Sequence, residues 1–217
     1  MDRFRGTDAR YTLDFIASLR LLAPCELRQI ESVLTERALA ACLDHAESIH
    51  VHVKMDDTDH LPSTALQACG GVLDHGRHGF VKYRMPGRIN AIFSHIPISA
   101  DDLRECASSR RPRPFLDHIG IDVRTVDAHA RAAFDALPTV AVSRGWAHVS
   151  QGGADRPVRC CHAEVDEKHW LFPNANGARP VEIAFGPLRH GSTVAGCDLR
   201  PSHPALMVST VSCASYA

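Results

Sequence analysis

The alternation of apolar and polar positions divides the chain into a helical lead-in and two strand-rich halves. "TLDFIASLRLL" carries apolar residues at helical spacing and Pro24 interrupts it. "CELRQIESVLTERALAACLDHA" then resumes with Leu27, Ile30, Val33 and Leu34 on one side. "SIHVHVKM", residues 48–55, alternates with a period of two and predicts a strand, and "PSTALQACGGVL" predicts a short helix closed by Gly70-Gly71. "GFVKYRM" and "INAIFSHIPIS" read as two further strands joined by a turn at Pro86-Gly87, and "HGRHG", residues 75–79, reads as a turn with polar flanks. "ADDLRECASSRRPRP" reads as a short helix and a basic, Pro-bearing connector, too short for a nucleic-acid patch; it marks a boundary.

The second half shows the same order more plainly. "HIGIDV" predicts a strand, "DAHARAAFDALPTVA" an amphipathic helix with Asp127 as N-cap, and "GWAHVSQ", "PVRCCHAEVD" and "RPVEIAFGPL" three strands, with a turn at "NANG". An offset of 68 residues lays "HVHVKMDDTD" over "HIGIDVRTVD". Both copies give a His, apolar residues at the second and fourth places, and an Asp before the helix, which favours two related modules.

The strand opened by Asp117-His118 and continued by Ile119, Ile121 and Val123 carries a histidine toward a core. Such a ring must be satisfied by a hydrogen bond or by a metal, and that choice decides the chemistry.

Composition narrows the classes. The chain has 217 residues, 45% of them hydrophobic, and a formal net charge of -1, which suits one sizeable core or two fused modules rather than nucleic acid or an acidic membrane surface. No apolar run approaches the roughly 20 residues that span a bilayer, and "MDRFRGTDAR" lacks the apolar stretch of a secretory signal, so a cytoplasmic location is expected. The 8 cysteines include the adjacent pair Cys160-Cys161 and no C-x-x-C, so reduced thiols are expected rather than disulfides or a zinc ribbon. The distinctive figure is 14 histidines, several of them inside apolar runs.

"DHIGIDV", the helix after it and "VEIAFGPL" together resemble the vicinal oxygen chelate superfamily, which includes glyoxalases, methylmalonyl-CoA epimerases, fosfomycin resistance proteins and type I extradiol dioxygenases. The resemblance covers roughly residues 114–188, and the repeat extends it to 47–99. It implies an α+β fold: two βαβββ modules forming a cupped mixed sheet around a metal, here behind an N-terminal helical lead-in. The boundaries are then a helical segment at 1–46, a first module at 47–110, a second at 111–200 and a tail at 201–217.

The resemblance also implies a ligand set. His118 matches the metal-binding His of a module's first strand, Glu182 the Glu of its last, and His50 is the equivalent of His118 by the repeat. His52 shares a strand face with His50, so either could serve. His95 stands in the strand where glyoxalase-type members place a Gln or Glu as fourth ligand.

Two imidazoles and one carboxylate suit non-haem Fe(II), which needs vacant positions for a substrate and dioxygen, and extradiol cleavage of a catechol-like or oxo-acid chelator is the leading expectation. A fourth ligand from His95 would instead favour Lewis-acid isomerisation or epimerisation with Mn, Co, Ni or Zn. A metal-free small-molecule binder of the same fold is the third reading. Asp117, Asp122 and Glu164 are the residues expected to orient the ligating imidazoles.

If "RCCHAEVDEKHW" runs as one strand, Cys160, His162 and Glu164 share a face, which makes His162 the candidate acid/base. Lys168, His169 and Trp170 would shape the mouth and bind an anionic group. The expected partners are a small-molecule substrate and dioxygen, with no nucleic acid and no membrane. Pairing of the modules within one chain or across a homodimer is left open.

Overall fold

The computed structural model of the chain describes residues 6–55, 63–77, 80–95, 115–125, 127–153, 158–160, 163–173 and 180–186. The lead-in forms α1 (Gly6–Ser18), α2 (Pro24–Leu34), a 3-10 turn at Arg37–Leu39 and α3 (Ala40–Asp44). Pro24 opens α2, where its missing N–H costs nothing, and Ile30, Val33 and Leu34 are buried as their spacing predicts.

The first module is β1 (Ala46–Met55), α4 (Ser63–Ala68), β2 (Val72–Arg77), β3 (Phe80–Arg84) and β4 (Ile89–His95). Its two pattern-read strands after the helix become three, because "VLDHGR" also pairs. Residues 75–77, read as part of a turn, end β2, and residues 78–79 lie outside the described residues. The turn at Pro86-Gly87 is present. Gly87 has φ +71, and a side chain there would press on the Tyr11 ring of α1 at 3.1 Å.

The second module is β5 (Phe115–Val123), α5 (Ala128–Arg144), β6 (Ala147–Gly152), the short β7 (Val158–Cys160) and β8 (Ala163–Val165), then β9 (Glu167–Phe172) and β10 (Val181–Phe185). The Asp127 carboxylate caps α5 by accepting from the backbone N–H groups of His129 and Ala130. "PVRCCHAEVD" is not one strand. β7 and β8 form a separate two-stranded hairpin with Cys160 opposite Ala163, and "EKHWLF" takes the expected place in the main sheet. The connector at 100–114 and the tail at 201–217 lie outside the described residues.

Eight strands form one mixed sheet in the order β2-β3-β4-β1-β5-β10-β9-β6. β1 and β5 meet antiparallel at its centre, and each pairs parallel with the last strand of its own module. The central register pairs His50 with Gly120, Val51 with Ile119 and His52 with His118. A two-fold through the Val51–Ile119 pair therefore exchanges residue i with i + 68, which is the repeat read from the sequence. One face of the sheet, with Ile49, Val51, Val53, Ile119, Ile121, Val123, Val181, Ile183 and Phe185, joins the helices in the main apolar core. The other face carries His50, His52, Lys54, His118, Asp122, Lys168 and Glu182, all buried. No helix among the described residues is long and apolar enough to cross a membrane.

Candidate metal centre

The site grows from the central strand pair. Alternation puts His50 and His52 on the polar face of β1, and the register puts His118 and Gly120 on the same face of β5. Gly120 lies directly opposite His50, and a Cβ built there would land on the His50 ring. The missing side chain is what lets the His50 imidazole lie across β5 toward His118. Glu182 pairs with Gly120 from the other side, so β10 delivers its carboxylate to the same place.

The three side chains predicted as metal ligands converge. His50 Nε2 is 3.1 Å from His118 Nε2, and Glu182 Oε2 is 3.8 Å from the first and 3.4 Å from the second. Their ligand atoms all lie within 4.8 Å of one another. Ligand bonds of roughly 2.1 Å meeting near right angles put donor atoms about 3 Å apart, so the triangle has the dimensions of one face of a coordination sphere.

Carboxylates orient both rings. His118 Nδ1 donates to Asp117 Oδ2 at 2.8 Å, and His50 Nδ1 meets Asp122 Oδ2 at 3.3 Å, with the Ser48 hydroxyl donating to the same oxygen at 2.7 Å. This answers which acids serve: Asp117 for His118 and Asp122 for His50. The Glu164 side chain lies outside the described residues. Asp117 reaches the polar face because it is the extra residue of a β-bulge: His52 pairs with His118 but Val53 pairs with Leu116.

The electrostatics follow. Burial alone would raise the Glu182 carboxyl, but His50, Lys168 and His118 around it outweigh that and hold it down at about 2. Burial opposes ionisation of Asp122 as well, and His50 and Ser48 bring it to about 2. Asp117 is held well below the usual carboxylate range by His118, His52 and Lys54 against the same burial. Burial, reinforced by His118, pushes His52 well below the ordinary histidine value, so its ring is neutral.

This donor set fits a metal ion. With Nδ1 of each ring turned to a carboxylate, the two Nε2 atoms face each other at 3.1 Å, a contact that a proton or a cation between them satisfies. Glu182 Oε1 is buried and accepts no hydrogen bond among the described residues, with Lys168 Nζ 3.4 Å away. His52 belongs to a second group with Asp117 and His118; its Nδ1 is 3.9 Å from Asp117 Oδ2, and its ring meets the His118 ring edge-on at 5.0 Å. Gly120 thus singles out His50 as the residue beside Glu182, with His52 behind His118.

Other predicted residues fare differently. His162 lies outside the described residues, and the one-strand reading that set it beside Cys160 and Glu164 fails because the chain reverses between β7 and β8. His95 ends β4, and its side chain is outside the described residues. By the two-fold, the strand position equivalent to Glu182 is Ile92: it pairs with His52, as Glu182 pairs with Gly120. Ile92 is fully buried and brings no donor atom. The trio at the mouth splits as well. Lys168 and Trp170 share the polar face with Glu182 and Ala184, whereas His169 shares the helix-facing side with Ile183. There His169 Nδ1 is 2.7 Å from His148 Nε2 and its ring lies 4.3 Å from the Phe134 ring of α5. Burial, with help from His148, lowers His169 to about 4.

Two βαβββ modules around a central antiparallel pair, with donors on the first and last strands, complete the pattern expected from the sequence. That is the architecture which the resemblance to the vicinal oxygen chelate superfamily implies. No family model and no curated protein matches the sequence. Among solved structures, it is similar to methylmalonyl-CoA epimerase from Mycobacterium tuberculosis, at 15% identity and TM-score 0.39, over 66% of this chain and 89% of that one. An extradiol ring-cleaving dioxygenase from B. fuscum aligns at 11% identity and TM-score 0.39, over 68% of this chain and 35% of that one. A hypothetical protein from Bacillus halodurans aligns at 12% identity and TM-score 0.41, over 66% and 96%.

Proposed function

We propose that the protein is a mononuclear non-haem iron(II) dioxygenase of the extradiol type, acting on a small chelating substrate of the catechol or oxo-acid kind. The observation that carries this reading is Ile92. The two-fold that exchanges His50 and His118 turns Glu182 into an isoleucine, so among the described residues the donor set is three side chains, with a hydrocarbon where a fourth donor would stand. Iron(II) held there would supply vacant positions for the two oxygens of a chelator and for dioxygen.

The chain's own residues have distinct parts in this reaction. Asp117 and Asp122 orient the two imidazoles so that Nε2 is the atom each would present to a metal. Glu182 brings one negative charge and stays ionised throughout the physiological range. Trp170, buried and edge-on to His118 at 5.4 Å, forms an apolar wall that keeps water from that side. The proton-handling role read for His162 belongs to the same proposal, and a His162→Ala variant that retains its metal and its kcat would remove it.

The test is metal analysis of anaerobically purified protein, wild type beside His118→Ala and Glu182→Ala, followed by oxygen uptake with a catechol. About one equivalent of iron, lost in both variants, with oxygen consumed only by wild type, is the expected result. Turnover without oxygen on Mn, Co, Ni or Zn would favour carbonyl isomerisation instead. Retention of a small ligand without metal and indifference to His118→Ala would leave a binding protein.

A further inference from the structure

Each imidazole of the triad is backed by a carboxylate, but the two carboxylates are held differently. Asp117 directly precedes His118 and meets its Nδ1 at 2.8 Å, so one stretch of β5 supplies both partners. Asp122 belongs to β5 whereas His50 belongs to β1, and their contact is longer, 3.3 Å. That length lies past the usual range of a strong N–H···O bond, and such a contact does little on its own to fix a carboxylate. The residue directly opposite Asp122 in the central register is Ser48. Its hydroxyl donates to Asp122 Oδ2 at 2.7 Å, the same oxygen that His50 Nδ1 faces. Ser48 precedes His50 by two residues, so alternation puts both on the polar side of β1. β1 therefore grips one oxygen of β5 at two points, and the shorter and stronger of the two contacts is the serine's, a hydroxyl bonded to an ionised group. The second module has no counterpart: 68 residues on from Ser48 stands Leu116, which joins the main apolar core.

We propose that Ser48 is the positioning residue of the first module: its hydroxyl sets the place of Asp122, and through Asp122 the angle at which the His50 imidazole meets an ion. The proposal rests on the reading of His50, His118 and Glu182 as a metal centre. Ser48 touches neither ion nor substrate in this scheme and acts through the carboxylate alone. It is half-buried, so a change of side chain there disturbs the edge of the polar face rather than the core.

The test uses the full chain with cobalt(II) as the probe, titrated by calorimetry and observed by proton magnetic resonance of the loaded protein. Wild type is expected to show two strongly shifted, solvent-exchangeable resonances, one from the Nδ1–H of each ligating imidazole. Ser48→Val should weaken cobalt(II) binding about 3- to 10-fold and speed the exchange of one resonance, the one that Asp122→Asn also disturbs. The other resonance, which Asp117→Asn disturbs, should stay as in wild type. Ser48→Thr has the shape of valine with the hydroxyl kept, and it should behave as wild type. In an Asp122→Asn background, Ser48→Val should add no further loss, because its effect passes through the carboxylate. If Ser48→Val does not fold, as judged by circular dichroism, Ser48→Ala carries the comparison. Equal losses from Ser48→Thr and Ser48→Val, additive losses from Ser48→Val and Asp122→Asn, or a Ser48→Val protein that matches wild type in affinity and in both resonances overturns the role of Ser48. If wild type binds no cobalt(II), or binds it as well after His118→Ala, the metal-centre reading falls and this proposal falls with it.

Discussion

The two modules share a backbone plan and differ in what they place on the polar face of the sheet. Among the described residues the first contributes one member of the triad, His50, and at the position of Glu182 it has the hydrocarbon of Ile92. The second contributes His118, Glu182, the bulged Asp117, and Asp122, which reaches across to orient the first module's own histidine. On the helix-facing side the contrast persists. Where β9 carries His169, hydrogen-bonded to His148, the equivalent position of β3 is Val81, since Val81 pairs with Phe93 as His169 pairs with Ile183. The difference teaches that a repeated fold need not repeat its chemistry. An ion near the two-fold would use both central strands, and the choice of one side chain on each last strand would decide whether its coordination is open or closed.

The largest effect is expected from Gly120→Ala. The added methyl group would occupy the place of the His50 ring, displacing the first module's only donor in the triad, so iron affinity should fall at least about 100-fold. Calorimetric metal titration checks this, and far-ultraviolet circular dichroism should remain that of wild type. Retained iron affinity would mean that His50 is dispensable and that His52 can serve.

Next comes Ile92→Glu, which makes the modules alike. A fourth donor opposite Glu182 should preserve or tighten metal binding while lowering oxygen uptake by about tenfold or more, because a position needed by substrate or dioxygen is taken. Unchanged oxygen uptake would show that the contrast between Ile92 and Glu182 does not control the chemistry.

Asp117→Asn and Asp122→Asn sharpen the same comparison more gently. Each removes the carboxylate behind one imidazole, and each is expected to weaken metal affinity about 10- to 100-fold without abolishing it. The shorter hydrogen bond, 2.8 Å against 3.3 Å, makes Asp117→Asn the more damaging of the two.

The smallest effect concerns acid stability. His169 has its folded-state value lowered to about 4, below the ordinary 6.5, because burial under α5 disfavours its charged form. The unfolded chain therefore takes up this proton first as pH falls. The stabilisation is complete above 6.5 and is lost between there and about 4, at up to about 1.4 kcal/mol per pH unit. His169→Phe should flatten that part of the stability profile, measured by urea denaturation from pH 7 to pH 4, whereas Val81→Ala should leave the slope unaltered.

What could be read from the sequence was whatever depends on alternation along one strand. His118 opening an apolar strand, the 68-residue offset to His50, Glu182 between Val181 and Ile183, and the Asp127 cap all belong to that class. Strand alternation misled where burial is two-sided or one-sidedly polar. "EKHWLF" carries buried residues on both faces and shows no simple period, and "VLDHGR" is an edge strand with exposed Val72 and Leu73 and a bulge at Asp74. "PVRCCHAEVD" alternates well enough to suggest one strand, but its reversal lies in the middle. His50 could not be told from His52 because both share a face; the gap that decides between them is on another strand, at Gly120. Ile92 could not be matched to Glu182 without the pairing register, which is a property of the assembled sheet.

The seam between β1 and β5 has a consequence for how such a protein is made. Residue 50 emerges from the ribosome long before residues 118 and 182, so a nascent chain holding only the first half lacks two of the three side chains of the triad. An ion held by these three side chains could be captured only once the last of them has been synthesised and the halves have docked, which would make its possession a late certificate of correct assembly.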